Sequence, residues 1–149
     1  MEYRYMTIDD YDMVNELWHT IKGFVLRSLD DSREGIERFL KRNPDMSIVA
    51  FSQGRLVGAL LCGHDGRRGG FYHVCVHEDF RNHGIASHMV KMALEALERE
   101  GINKINLIAF KENEIGNRFW KGADFTFRGD LNYYDFTINE DNIFTKING

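Results

Sequence analysis

Val74-Cys75-Val76-His77-Glu78-Asp79-Phe80-Arg81-Asn82-His83-Gly84-Ile85-Ala86 is the stretch on which the fold turns. Residues 71–77 are rich in β-branched and aromatic side chains and read as a strand. From 84 to 100 the period changes. Ile85, Met89, Met92, Ala93, Ala96 and Leu97 fall on one face at steps of three and four, with Lys91, Glu95, Glu98 and Arg99 opposite. Gly101 is a natural stop for this helix. Residues 103–110 then alternate as a strand. Strand, helix and strand in that order form a βαβ unit, so the two strands should lie parallel in one sheet.

Working outward, residues 2–6 predict a short first strand, and Thr7 or Asp9 caps a helix carrying Tyr11, Val14, Leu17, Trp18 and Ile21 inward. Residues 22–31 read as a loop. A second helix begins near Asp31 or Ser32 and stops at Asn43-Pro44. Residues 47–51 and 56–63 flank Ser52-Gln53-Gly54-Arg55, a hairpin turn signal, and the glycine-containing turn from His64 to Gly70 leads into strand 71–77. Downstream, Asn113 caps a short helix to about Lys121, and strands are predicted near 125–128 and 132–138, with the tail from Asn139 unassigned. The fold class is α/β: one domain over 1–149, with hairpins that make a mixed, mostly antiparallel sheet flanked by helices.

The chain has 149 residues, 43% hydrophobic and 28% charged, enough for one real core and too apolar for a disordered chain. Its net charge is −4, a poor balance for a nucleic-acid binder, so no nucleic-acid partner is expected. The longest apolar run, Leu56 to Gly63, is far short of a membrane helix, and no apolar leader follows Met1. Two cysteines, Cys62 and Cys75, sit in apolar strand-like runs as free thiols do; a cytoplasmic location is the simplest expectation. Five of the six histidines (His64, His73, His77, His83, His88) fall within residues 64–88. Between 67 and 91, Arg67, Arg68, Arg81 and Lys91 stand against Glu78 and Asp79, so this stretch is locally positive.

The loop from Arg81 to Ala86 joins strand to helix. A helix start leaves N–H groups unpaired and carries partial positive charge. Gly84 lets backbone approach a ligand, and Arg81 adds a cation. Together these describe a phosphate or pyrophosphate seat; a plain strand-to-helix turn would show the same glycine. No Gly-Lys-Ser/Thr ends the loop and no Gly-x-Gly-x-x-Gly is present, which excludes a P-loop and a dinucleotide fingerprint.

The run 74–86 resembles the acetyl-CoA motif of the GNAT N-acetyltransferases, (Arg/Gln)-x-x-Gly-x-(Gly/Ala) directly after a strand. Asn113 through Phe125 resembles the same family's Asn-x-x-Ala-x-x-(Leu/Phe)-Tyr-x-x-x-Gly-Phe block. The order of elements follows small single-domain bacterial members along the whole chain. The resemblance implies a sheet whose central parallel strand pair is splayed. It implies acetyl-CoA as acetyl donor, with transfer to a primary amine of a small molecule or protein. It implies that Arg81 and the amides of Asn82, His83, Gly84, Ile85 and Ala86 hold the pyrophosphate. The strand backbone of Val74, Cys75 and Val76 pairs with the pantetheine arm, with an amide near Val76 as oxyanion donor. Asn113 bonds the cofactor arm, or simply caps its helix. A homodimer through late strands is a further family habit. A non-catalytic acyl-CoA-binding module and a protein N-terminal or lysine acetyltransferase are the alternatives.

The chain departs from the family in three places. The glycine before Phe125 is Asp124 here, a residue that tolerates the left-handed conformation expected there. The tyrosine that protonates the leaving thiolate is Trp120 here, whose indole is a donor but no useful acid; it packs against the arm or in the core. The usual glutamate positions fall near Gly70 and Ile108, so neither supplies a base. His73, Tyr72 and Tyr134, with Tyr133, are the candidates for proton transfer, with a water chain as the alternative; an imidazole ordinarily titrates near 6.5. Asp30, Asp31 and Glu34 lie where they would attract a cationic amine. A metal is not expected. His73 and His77 on one strand face stand roughly 13 Å apart, too far for one ion. Cys75 is a poor nucleophile if buried.

Overall fold

A computed structural model describes residues 1–147. Its main sheet holds β1 (Glu2–Tyr5), β3 (Ile48–Ser52), β4 (Arg55–His64), β5 (Gly69–Val76) and β6 (Ile105–Asn106) in the order β1-β3-β4-β5-β6. The first four pair antiparallel, and β5 and β6 pair parallel, as the βαβ reading required. β2 (Val25–Arg27) and β7 (Phe144–Lys146) form a separate antiparallel ribbon. The helices are α1 (Tyr11–Trp18), α2 (Arg33–Arg42), α3 (Ile85–Arg99) and α4 (Glu114–Gly122).

β3 and β4 are buried on both faces, which is why their sequences are nearly continuous apolar runs. On one face Ile48, Val57, Leu60 and Cys62 pack under Ile85, Met89, Ala93 and Leu97 of α3. On the other, Val49, Ala59 and Leu61 meet Val14, Leu17 and Trp18 of α1 and Ile36 of α2. Gly58 lets α3 come close: a β-carbon there would stand 3.2 Å from both Ile85 Cγ2 and Met89 Cε. Gln53 and Gly54, both left-handed, close the β3–β4 hairpin as the turn signal predicted. Ser32 caps α2, its Oγ accepting from the Gly35 amide at 3.0 Å.

Arg4 and Asp10 lock β1 to the start of α1. The Arg4 guanidinium donates to both Asp10 oxygens at 2.7 and 2.8 Å, and the Thr7 amide donates at 2.9 Å. Burial pushes the Asp10 carboxyl up, but the bonds from Arg4 and Thr7 outweigh it, so its pKa lies below the ordinary value. A depressed carboxylate contributes stability that is present above its unfolded value and is lost as pH falls through the folded one. Asp10→Ala should therefore cost about 2–3 kcal/mol in denaturant unfolding at pH 7, less than a fully buried pair because Arg4 stays partly solvated. The penalty should shrink as pH falls below the ordinary carboxylate value, where protonation costs the wild type the same bond.

Three expectations are corrected. The strand predicted over 103–110 pairs only at Ile105 and Asn106, and the chain then leaves β5. Residues 125–128 and 132–138 form no strand: they alternate, but Phe136 and Ile138 are 88% and 94% exposed. Strand propensity needs a ladder partner, and none stands beside them. The 22–31 loop instead contains β2, held by β7 from the unassigned tail.

Candidate functional site

β5 carries the site. Between Ala59 and Leu61 its pairing with β4 slips: Cys75 faces Ala59 and Tyr72 faces Leu61, so His73 and Val74 share the space opposite Leu60. The extra residue is accommodated at His73, which takes a left-handed φ of 50°. The bulge shifts the alternation. Tyr72 meets Phe39 of α2, His73 meets Trp18 of α1, and Cys75 lies in the same core, whereas Val74 and Val76 face α3. The bulge leaves His73 and Cys75 on the same side, and the strand ends at Val76, one residue before His77. His77 follows the strand end and accepts the Asp79 amide through Nδ1.

The edge of β5 away from β4 is open. β6 pairs with it only at Gly69 and Gly70. Beyond that the two chains separate, the splay that the resemblance implied. The His77 amide donates to the Val57 carbonyl at 2.8 Å. Val76, opposite Gly58, is therefore the non-hydrogen-bonded position, with its N–H and C=O turned to the open edge. Arg81 agrees with this: its Nε donates to the Val76 carbonyl at 3.2 Å. The other guanidinium nitrogens make no hydrogen bond among the described residues.

The loop beyond Arg81 continues the same edge. Asn82 and Gly84 both have positive φ, 65° and 77°, which curls the backbone at the start of α3. The amides of Asn82, His83, Gly84, Ile85, Ala86 and Ser87 meet no acceptor among the described residues. Ile85 is buried, so it offers only its amide; Ala86 is half-buried, while Asn82, His83 and Gly84 are exposed. The arrangement is an anion nest on a helix start, with Arg81 beside it.

His73 is held firmly. Its Nε2 lies 2.8 Å from Asp31 Oδ1, and its ring packs 5.0 Å from Trp18 and 4.9 Å from Phe24. The imidazole is 22% exposed and the Asp31 carboxylate 10%. Asp31 pairs with His73, and the exposed Asp30 accepts a bond from the Asn142 side-chain amide. Burial pushes the Tyr72 hydroxyl's pKa up, helped by Cys62, Asp65 and Tyr133 nearby, so at neutral pH it stays a protonated donor. Beside Tyr72 a cleft of about 330 Å³ opens, lined among others by Phe39, Arg42, His64, Arg68 and Asn106. Tyr134 is 85% exposed and makes no hydrogen bond among the described residues. Cys75 is buried, which pushes its thiol up to about 12 and leaves it no thiolate.

Trp120 packs against Phe71, Phe119 and Phe125 beneath the splay. Asn113 caps α4, accepting the Gly116 amide through Oδ1, which leaves its Nδ2 for other use. The sequence reading missed Asn117, whose Nδ2 bonds the Phe110 and Asn113 carbonyls and ties the diverging chain to α4. No group of three or more histidine, cysteine or acidic residues among those described is placed to hold a metal. No described helix is long and apolar enough to cross a membrane.

Comparison with known proteins places this geometry. The model of the acetyltransferase (GNAT) family matches residues 11–125. An acetyltransferase of Pectobacterium atrosepticum is 37% identical over 114 residues, 76% of this chain and 79% of that protein. Among solved structures, aminoglycoside N-acetyltransferase AAC(6')-Iy in complex with a bisubstrate analog superposes with a TM-score of 0.70 at 16% identity, covering 91% of this chain and 97% of that one. PaiA N-acetyltransferase from Thermoplasma acidophilum in complex with coenzyme A gives 0.69 at 15% identity, covering 81% and 86%. The open strand edge, the nest of amides and the family match agree, and the chain belongs to the GNAT family of acetyltransferases.

Proposed function

We propose that the protein moves an acetyl group from acetyl-CoA to a primary amine by direct attack on the thioester. One observation carries this reading: β5 has no strand on its outer edge beyond Gly70, the Val76 N–H points to that edge, and the unpaired amides of residues 82–87 begin α3 one short turn later. The edge suits an extended, amide-bearing arm added as a further strand, and the nest suits its pyrophosphate. In the transfer, the amine nitrogen bonds to the carbonyl carbon, the carbon–sulfur bond breaks, and CoA leaves as the thiolate. His73 takes the proton released by the nitrogen, and the Val76 amide faces the carbonyl oxygen as charge builds there. Tyr72 stands beside His73 as a protonated donor, and the cleft next to it admits the acceptor.

The test is CoA release, followed with a thiol reagent, over a panel of diamines, aminoglycosides, amino acids and short peptides. Acceptor-dependent release with at least one class is the expected result, and the productive class identifies small-molecule or protein acceptors. Tight acetyl-CoA binding in calorimetry with no acceptor-dependent release across the panel would sink the reading in favour of a binding module.

A further inference from the structure

We propose that Asp31 is the positioning residue for His73, and that the C-terminal ribbon holds Asp31 in place. The proposal rests on the reading of His73 as base and names the device that orients it. Asp31 lies 42 residues from His73 in sequence, yet each of its polar groups is placed. Its Oδ2 accepts the Arg27 amide at 2.7 Å, its own amide donates to the Arg27 carbonyl at 2.9 Å, and its carbonyl accepts Tyr11 Oη at 2.6 Å. Oδ1 alone is left, and it faces His73 Nε2. A carboxylate is acceptor only, so the proton of the neutral ring sits on Nε2 and Nδ1 keeps its lone pair. Among the described residues nothing donates to Nδ1. The bulge and the rings of Trp18 and Phe24 fix the imidazole plane, and Asp31 fixes which nitrogen is basic.

The loop carrying Asp31 is in turn tied to the end of the chain. Asn142 Oδ1 accepts the amides of Leu29 and Asp30 at 2.9 and 3.2 Å, and its Nδ2 donates to Asp30 Oδ2. Ser28 Oγ donates to the Asp141 carbonyl and accepts the Ile143 amide. β2 and β7 then pair residue by residue from Arg27 with Phe144 to Val25 with Lys146. The C-terminal segment, remote in sequence from the acetyl-CoA motif, thus sets the geometry of the proton acceptor.

Long-range 1H–15N spectra of the imidazole in the wild-type protein at mildly alkaline pH should show His73 protonated on Nε2 and bare on Nδ1. Asp31→Asn, keeping its oxygen on the Arg27 amide, turns an N–H₂ toward Nε2 and should move the proton to Nδ1. Its kcat should fall about 10- to 100-fold with KM for acetyl-CoA unchanged. Asn142→Ala should speed exchange of the Leu29 and Asp30 amides and lower kcat several-fold, again sparing acetyl-CoA binding. A wild-type ring protonated on Nδ1 overturns the proposal whether or not any variant folds. So does a folded Asp31→Asn protein with kcat within twofold of wild type. If His73→Ala keeps its kcat, the base reading itself falls and takes the proposal with it. If His73→Ala is impaired while Asp31→Asn is not, only the positioning role falls.

Discussion

Gly84→Glu is expected to weaken acetyl-CoA binding about 100-fold, a loss of about 2.7 kcal/mol. Gly84 has φ 77° and caps α3, so its N–H belongs to the nest. A carboxylate there would meet the like charge of the pyrophosphate, taken at a separation of about 5 Å. At an effective dielectric of about 20 each like-charged pair then costs about 3 kcal/mol, which solvent at this exposed loop screens in part. The side chain itself meets no protein atom, since a β-carbon at 84 has nothing within 4 Å. The variant should fold, apart from about 1–2 kcal/mol of left-handed strain. Gly84→Ala carries the same strain without the charge and separates the two effects; it should lose less than about 10-fold. Calorimetry on both variants decides. An acetyl-CoA Kd for Gly84→Glu within threefold of wild type would remove the nest from the site.

His73→Ala is expected to lower kcat about 100- to 1000-fold, the usual range for removing a general base, with the Kd for acetyl-CoA unchanged. The second half of that expectation is the sharper one. In the proposed reading the open backbone edge and the nest hold the arm, and the imidazole belongs to neither. His73 packs on Trp18 and Phe24, so removing it leaves a small cavity, and thermal unfolding should be checked alongside. His73→Asn tolerates the left-handed backbone and should lose kcat equally. Unaltered kcat in both would assign proton removal to water.

What the sequence disclosed and what it withheld follow the range of the interactions. α3 and the loop before it were legible because periodicity and helix-start chemistry are local: Ile85 to Leu97 and Arg81 to Gly84 carry their own signals. The βαβ step made β5 and β6 parallel by chain geometry alone. The bulge at His73 was not legible, because it exists only relative to Leu60 on β4. Asp31 reads in sequence only as a charge; its partner is 42 residues away, and nothing in local spacing points to it. The alternation at 125–138 was read as strands for want of the same information, since a pattern does not report whether a neighbour is there to pair.

The bulge on β5 also works as a change of phase in the strand. With strict alternation Tyr72 and His73, being consecutive, would point to opposite sides of the sheet. With one residue out of step they lie side by side, and every position from His73 onward answers to a new parity. The same half-period moves the backbone, setting the Val76 amide rather than the Cys75 amide on the exposed rim. A single inserted residue therefore aligns two separate codes, side chains with side chains and amides with amides. Deleting any one residue between Gly69 and His73 would put both out of register at once, leaving the core composition nearly intact and the chemistry dismantled.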